Sequence, residues 1–245
     1  MKRKTRPSSL GRRTFVKGIA AAGALGLTTS ARSYARIAGS SQQLQMAVVG
    51  FKGRGRELIS AIQATAGAKL VALCDADKKI LADHAPDDKQ LFRTSDVREI
   101  LGRNDIDAVA SATPNHWHAL LTCWACNAGK HVYNEKPISL NMHESRRIVE
   151  TARKNNSVVQ CGFQNRSDTG LLTFFENLNS GTYGDVLAVH GTCHRQRDSI
   201  GKLDQPLKIP DHINYEMWLG PAAEQDIMRP KLHYDWHWDF NTGNG

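Results

Sequence analysis

The chain has 245 residues, 40% hydrophobic and 23% charged, with a formal net charge of +8. That length suits one large domain or two modest ones with a core that needs no disulfide staples, and the apolar share excludes wholesale disorder. The charge does not mark a polyanion-binding body, and no nucleic-acid role is expected: eight cations fall within residues 1–35, which hold no acid, and the rest of the chain balances 24 basic against 24 acidic residues.

In chain order, residues 1–35 come first and read as a targeting segment. Arg12 and Arg13 stand just before Phe15 and Lys17, an apolar run Gly18–Thr29 follows, and Ser33-Tyr34-Ala35 offers small residues for cleavage after Ala35. The run of about 12 residues is too short for a membrane span of about 20. The paired arginines resemble a twin-arginine (Tat) signal. They imply the Tat export machinery as a partner and a periplasmic or other extracytoplasmic location. Residues 36–43 are a polar linker.

Strands and helices then alternate. Apolar runs at Leu44–Val49, Lys69–Cys74, Asp107–Ala112, His131–Tyr133 and Val158–Gly162 read as buried strands. Helices are expected over Gly53–Thr65, Asp77–His84, from a Ser95 or Asp96 cap to Leu101, over 116–128, from an Asn141 cap to about Asn155, and over 168–179. This alternation predicts an α/β fold: a doubly wound Rossmann sheet of parallel strands over 44–165. Past Gly184, Asp185–Gln196 alternates as a long strand, and a partial open-sheet α/β second domain is expected over 166–245. Five cysteines without regular spacing give no disulfide framework, and Cys123 and Cys126, though spaced CxxC, lie in an apolar helix and suit core packing.

The first strand opens into Gly50-Phe51-Lys52-Gly53-Arg54-Gly55 and a helix. A GxGxxG turn needs glycine at 50, 52 and 55, and Lys52 holds the middle place. Gly53 relieves part of that constraint, the helix amides still face an anion, and Lys52 or Arg54 adds positive charge. Asp75 ends the second strand, 25 residues after Gly50, where a carboxylate accepts from adenosine ribose hydroxyls and repels a 2′-phosphate. NAD(H) is therefore expected over NADP(H). Thr113-Pro114-Asn115-His116-Trp117-His118 follows the 107–112 strand at the edge where open α/β sheets bind ligands. His116 and His118, two apart on a starting helix, do not share a face, so no metal site is expected. Lys136, in Asn134-Glu135-Lys136-Pro137, can polarise a carbonyl or exchange a proton with a hydroxyl, positioned by Glu135; a surface salt bridge is the plainer alternative. Trp236 and His237 can face a sugar ring or simply pack, and Arg195 and Arg197, alternating on the expected strand, would point together at a substrate.

Taken in order, Ala47–Gly55, Cys74-Asp75, Asp107–Pro114, Gly129–Pro137 and Gln160–Arg166 resemble the glucose–fructose oxidoreductase/inositol dehydrogenase/rhizopine-catabolism (Gfo/Idh/MocA) family, in its Tat-exported branch. The resemblance implies NAD(H) or NADP(H) and a sugar, polyol or related substrate. It implies that Gly50, Gly53 and Gly55 meet the pyrophosphate and Asp75 the adenosine ribose. Thr113, Pro114, Asn115 and His118 would line the nicotinamide side. Glu135 and Lys136 would hold the nicotinamide ribose, Lys136 being the catalytic candidate, and Gln164 and Arg166 would border the cleft. The family's His-containing segment beyond the aromatic run is not in the 245 residues, so an interrupted second domain is expected, with a homo-oligomer through its sheet if complete. An NAD-dependent glycosidase and a catalytically incomplete nucleotide-binding fragment are the alternatives.

Overall fold

The computed structural model describes residues 43–192 and 196–244. The targeting segment, with Arg12 and Arg13, and the substrate candidate Arg195 lie outside the described residues.

Six strands form one parallel sheet: β1 (Leu44–Val49), β2 (Ala68–Cys74), β3 (Phe92–Thr94), β4 (Ala108–Ser111), β5 (His131–Glu135) and β6 (Val159–Gly162). The order across the sheet is β3-β2-β1-β4-β5-β6, which reverses direction between β1 and β4. Parallel register runs from Met46 against Ala108 to Val49 against Ser111, and on through Ser111 against Asn134 and Glu135 against Gly162. The helices between them are α1 (Arg54–Ala64), α2 (Lys78–Asp83), α3 (Val97–Gly102), α4 (Asn115–Asn127) and α5 (Met142–Asn155). Two apolar layers form, as helices on both faces of a parallel sheet require. Ala47, Val109, Leu121, Ala125 and Cys126 lie in one, and Val48, Phe51, Leu73 and Ala110 in the other.

Local chemistry sets the element ends. The Asp77 carboxylate accepts from the Lys79 amide, the Asp96 carboxylate from the Arg98 amide, and the Asn141 side chain from the Glu144 amide. Glu144 reaches back and accepts from the amide of Leu140, the residue before the cap, at 2.8 Å. Such caps are worth about 1 kcal/mol each. Asn156 ends α5 in the left-handed conformation. Cys126 is fully buried and Cys123 half-buried, both free thiols, and burial raises the Cys126 thiol above its ordinary range.

Beyond β6 come helix α6 (Thr169–Asn179) and the short α7 (Tyr215–Leu219). The strand expected over 185–196 does not form among its described residues, which are irregular, with Leu187 95% and Val189 85% exposed. A strand needs a partner for its amides and carbonyls, and no other described segment pairs with it. Residues from 211 onward return to the Rossmann sheet. Lys78 donates its amide to the His212 carbonyl at 2.9 Å, Asn214 donates to Ala76 O at 2.7 Å, and Asp77 bridges Ile213. A small third cluster, Ile213, Trp218, Ile227 and Leu232, accompanies that return.

Candidate functional site

The carboxyl ends of β1, β2, β4 and β5 open into a cleft of about 910 Å³. It lies where the strand order reverses, the place such sheets offer to ligands.

The glycine turn floors it. Gly50 has φ +76°, and a Cβ there would sit 3.0 Å from the Ala112 carbonyl and from Thr113 Cα. Gly55 is closed to any side chain, since its Cβ would lie 2.1 Å from Gly50 O. Gly53 meets open space. Phe51 is fully buried in the core, so its ring leaves the floor free, and Lys52 is exposed along the cleft. The departure from GxGxxG therefore does not block the approach of a pyrophosphate, and the turn fits a dinucleotide.

Asp75 holds this floor in shape. One carboxylate oxygen accepts from the Phe51 amide and the other from the Asp77 amide, both at 3.0 Å. Burial raises its pKa, against the pull of those two amides. Asp77, missed by the sequence reading, is 3% exposed and accepts from two histidines, His212 Nδ1 and His233 Nε2, each at 2.8 Å. Burial opposes its ionised form, but His233, the Lys79 amide and His212 outweigh it and lower its pKa. This cluster fastens the returning segment to the end of β2.

Across the cleft, Arg54 Nε donates to Glu135 Oε1 at 2.8 Å, and Arg54 also pairs with Glu57. The Glu135 hydrogen bond leads the causes that raise the Arg54 pKa. Glu135 is 5% exposed, whereas its neighbour Lys136 is exposed along the cleft. The salt bridge expected as the plain alternative for Lys136 does not form among the described residues; Glu135 takes Arg54 instead. Lys136 is thus left facing the cleft.

His118 lies 1% exposed beneath this edge, its Nε2 2.9 Å from Thr113 O and its Nδ1 against Pro137 O. It joins the loops after β4 and β5. His116, 2% exposed, faces the Trp218 and Thr242 carbonyls at 3.0 and 3.2 Å. A neutral imidazole donates from one nitrogen only, so each ring meets one carbonyl it cannot satisfy. Burial nonetheless lowers both pKa values, the carbonyls opposing it.

The returning segment walls the cleft with Trp218, His233, Tyr234, Trp236 and His237. Trp236 and His237 stack with centroids 3.6 Å apart. Of the residues expected at the site, Gly50, Lys52, Gly53, Arg54, Asp75, Thr113, Pro114, Asn115, His118, Glu135, Lys136, Gln164, Trp236 and His237 line the cleft. Gly55 lies behind the turn, and Arg166 is exposed, near Phe163, outside the lining. Arg197 stands behind Tyr234, donating from Nη1 to its hydroxyl at 2.9 Å. The signal for Asp77 was available, an acid two residues after Asp75. That for Tyr234 was not, because its place depends on how residues 211–244 return.

Residues 44–163 match the GFO_IDH_MocA model, described as an oxidoreductase family with an NAD-binding Rossmann fold. An inositol 2-dehydrogenase of Gluconacetobacter diazotrophicus is 32% identical over 200 residues, 77% of this chain and 58% of that protein. One from Salmonella typhimurium is 28% identical over 202 residues, 78% of this chain and 58% of that protein. The chain thus spans 58% of the length of these curated relatives. Among solved structures, the myo-inositol 2-dehydrogenase of Lactobacillus plantarum superposes with a TM-score of 0.56 at 25% identity, covering 59% of this chain and 43% of that one. The apo scyllo-inositol dehydrogenase of Lactobacillus casei gives 0.55 at 25% identity over the same shares. The glycine turn, the sheet order and these matches agree: residues 44–163 form a Rossmann domain that matches the NAD-binding domain of the Gfo/Idh/MocA oxidoreductase family.

Proposed function

We propose that the protein is an NAD(P)-dependent oxidoreductase acting on a sugar, polyol or related carbohydrate, with NAD(H) preferred over NADP(H). The observation that carries this reading is one cleft lined at one place by the glycine turn and Asp75, and at another by Lys136 and the stacked Trp236–His237 pair. The similarity to inositol dehydrogenases supports the same substrate class.

In this reading Gly50, Gly53 and the first amides of α1 hold the pyrophosphate, and the Asp75 carboxylate accepts from the adenosine ribose. Ala76 brings no cation to a 2′-phosphate there. The nicotinamide, when bound, supplies the hydride acceptor. Lys136 Nζ contacts the substrate oxygen and exchanges its proton as the C–O bond order changes. Trp236 offers an apolar face to the C–H surface of the ring. His118, buried between the Thr113 and Pro137 carbonyls and able to donate to one of them, packs the loops after β4 and β5 against each other beneath the cleft edge.

The test is NADH formation by the purified full chain over a panel of inositols, sugars and sugar acids. Turnover that falls by about 10²–10⁴-fold in Lys136→Ala while NAD affinity is kept supports the assignment. Turnover indifferent to Lys136 contradicts it. We also propose export through the Tat route, on the strength of Arg12, Arg13 and the apolar run after them. Export of a folded reporter fused to residues 1–43 should stop when both arginines become lysine, and unchanged export rejects the route.

A further inference from the structure

Three features meet at the Tyr234 wall of the cleft, with Arg197 standing behind that wall and outside the lining. First, Tyr234 has φ +68°, in a region that L residues enter only when the surroundings impose it, and it lines the cleft. A tyrosine held there costs about as much as other backbone strain and marks a site where side-chain direction matters. Second, the Arg197 guanidinium is fixed from two sides. Its Nη1 donates to Tyr234 Oη at 2.9 Å, and its carbon lies 5.3 Å from the Trp238 ring centroid and 5.9 Å from that of Tyr234. Among the described residues Arg197 has no carboxylate within ion-pair distance, as is also so of Arg56, Arg93, Arg146, Arg153 and Arg166, but Arg197 alone of these stands against the cleft's aromatic wall. Third, Lys136 likewise has no such carboxylate among the described residues, and it lines the cleft as Tyr234 does. His237, between them, reports the local field. Burial lowers its pKa most, the Tyr234 carbonyl opposes that, and the smaller effects of Lys136 and Arg197 lower it while Asp235 raises it.

A guanidinium ordered in advance by aromatic faces and one hydrogen bond keeps its remaining donors for a ligand. Its planar fork suits an oxyanion that accepts two hydrogen bonds. The stacked Trp236 and His237 beside it suit the carbon face of a pyranose or cyclitol.

We propose that Arg197 and Tyr234 form a subsite for an anionic group on the carbohydrate, a carboxylate or a phosphate, so that the substrate is a charged sugar rather than a neutral polyol. This rests on the carbohydrate reading above and narrows it. Arg197 and Tyr234 then determine specificity, while Lys136 meets the reacting oxygen.

The experiment is calorimetric titration of the NAD-loaded full chain with galacturonate, glucose 6-phosphate, galactose and myo-inositol. At least one charged ligand should bind about tenfold or more tightly than the neutral ones, the scale of one charge-assisted hydrogen bond. Which charged ligand it is tells a carboxylate from a phosphate. Arg197→Gln should erase that preference and leave NAD and neutral-ligand affinities unchanged. Tyr234→Phe, which keeps the ring and removes the anchor of Nη1, should erase part of it. Added salt should weaken only the charged ligands. Neutral ligands binding as tightly as charged ones, or a preference that survives Arg197→Gln, would overturn the subsite and leave the carbohydrate reading standing. If no carbohydrate of either kind binds, the carbohydrate reading falls too.

Discussion

Buried histidines make stability depend on pH, and the sign follows from which state binds the proton. His116 and His118 are 2% and 1% exposed, and burial lowers both pKa values from the ordinary histidine range. Between each lowered value and the unfolded value of about 6.5, the unfolded chain binds more protons, so stability rises with pH there. The contribution is complete above about pH 6.5 and is lost as pH falls below it. Melting temperature measured from pH 8 to pH 5 should therefore drop through the lower part of that range. His116→Gln and His118→Gln should each show a shallower drop, whatever their absolute stability. A wild-type slope matched by both variants would show that neither ring carries the effect. Asp77 acts at lower pH and with the opposite ionisation. Its lowered pKa gives stability that is present above the unfolded value near 3.9 and lost as pH falls through the folded one.

At the scale of elements, what the sequence showed depended on who supplies the partner. Strands β1, β2, β4 and β5 are buried on both faces, so continuous apolar runs such as Met46–Val49 and Ala108–Ala110 announce them. The caps were legible because a capping side chain bonds an amide two or three residues on, as Asp96 and Asn141 do. Strand β3, only Phe92–Thr94, was missed; three residues with one buried side chain carry no period. The alternation at 185–196 was visible but no described segment pairs with it, and alternation alone makes no sheet. Helix α7 was missed because Tyr215–Leu219 is a single turn and a half whose order comes from its seat on α4. Trp117 Nε1 donates to Trp218 O at 3.3 Å, and Gly220, at φ +52°, packs against the Trp117 ring. A Cβ on Gly220 would lie 2.3 Å from Trp117 Cε2. Gly220→Ala should therefore cost about 1–3 kcal/mol, the range for overpacking, by lifting α7 off α4. Chemical denaturation measures it; a variant as stable as the parent would show that this seat is soft.

For the molecule as a whole, the dinucleotide half of the cleft was readable because its residues are local to strand ends: Gly50, Asp75, Thr113 and Glu135 each close a β-strand that the pattern already marked. Of the other wall Trp236 and His237 were expected, but Tyr234 was not, since the segment that carries it reaches the cleft through the latch of Asp77 with His212 and His233. That latch also sits two residues from the carboxylate that shapes the glycine turn, so both walls share one foundation. The central claim is that this cleft holds a dinucleotide read by Asp75. Titrating the folded full chain with NAD and with NADP, in the parent and in Asp75→Ala, tests it most directly, with circular dichroism confirming that both are folded. The expected result is one NAD bound per chain, tighter than NADP, with Asp75→Ala weakening NAD by about tenfold, the scale of a hydrogen bond to a charged group, and narrowing the preference. A folded parent that binds no NAD, or binds NADP more tightly with no response to Asp75→Ala, would contradict it.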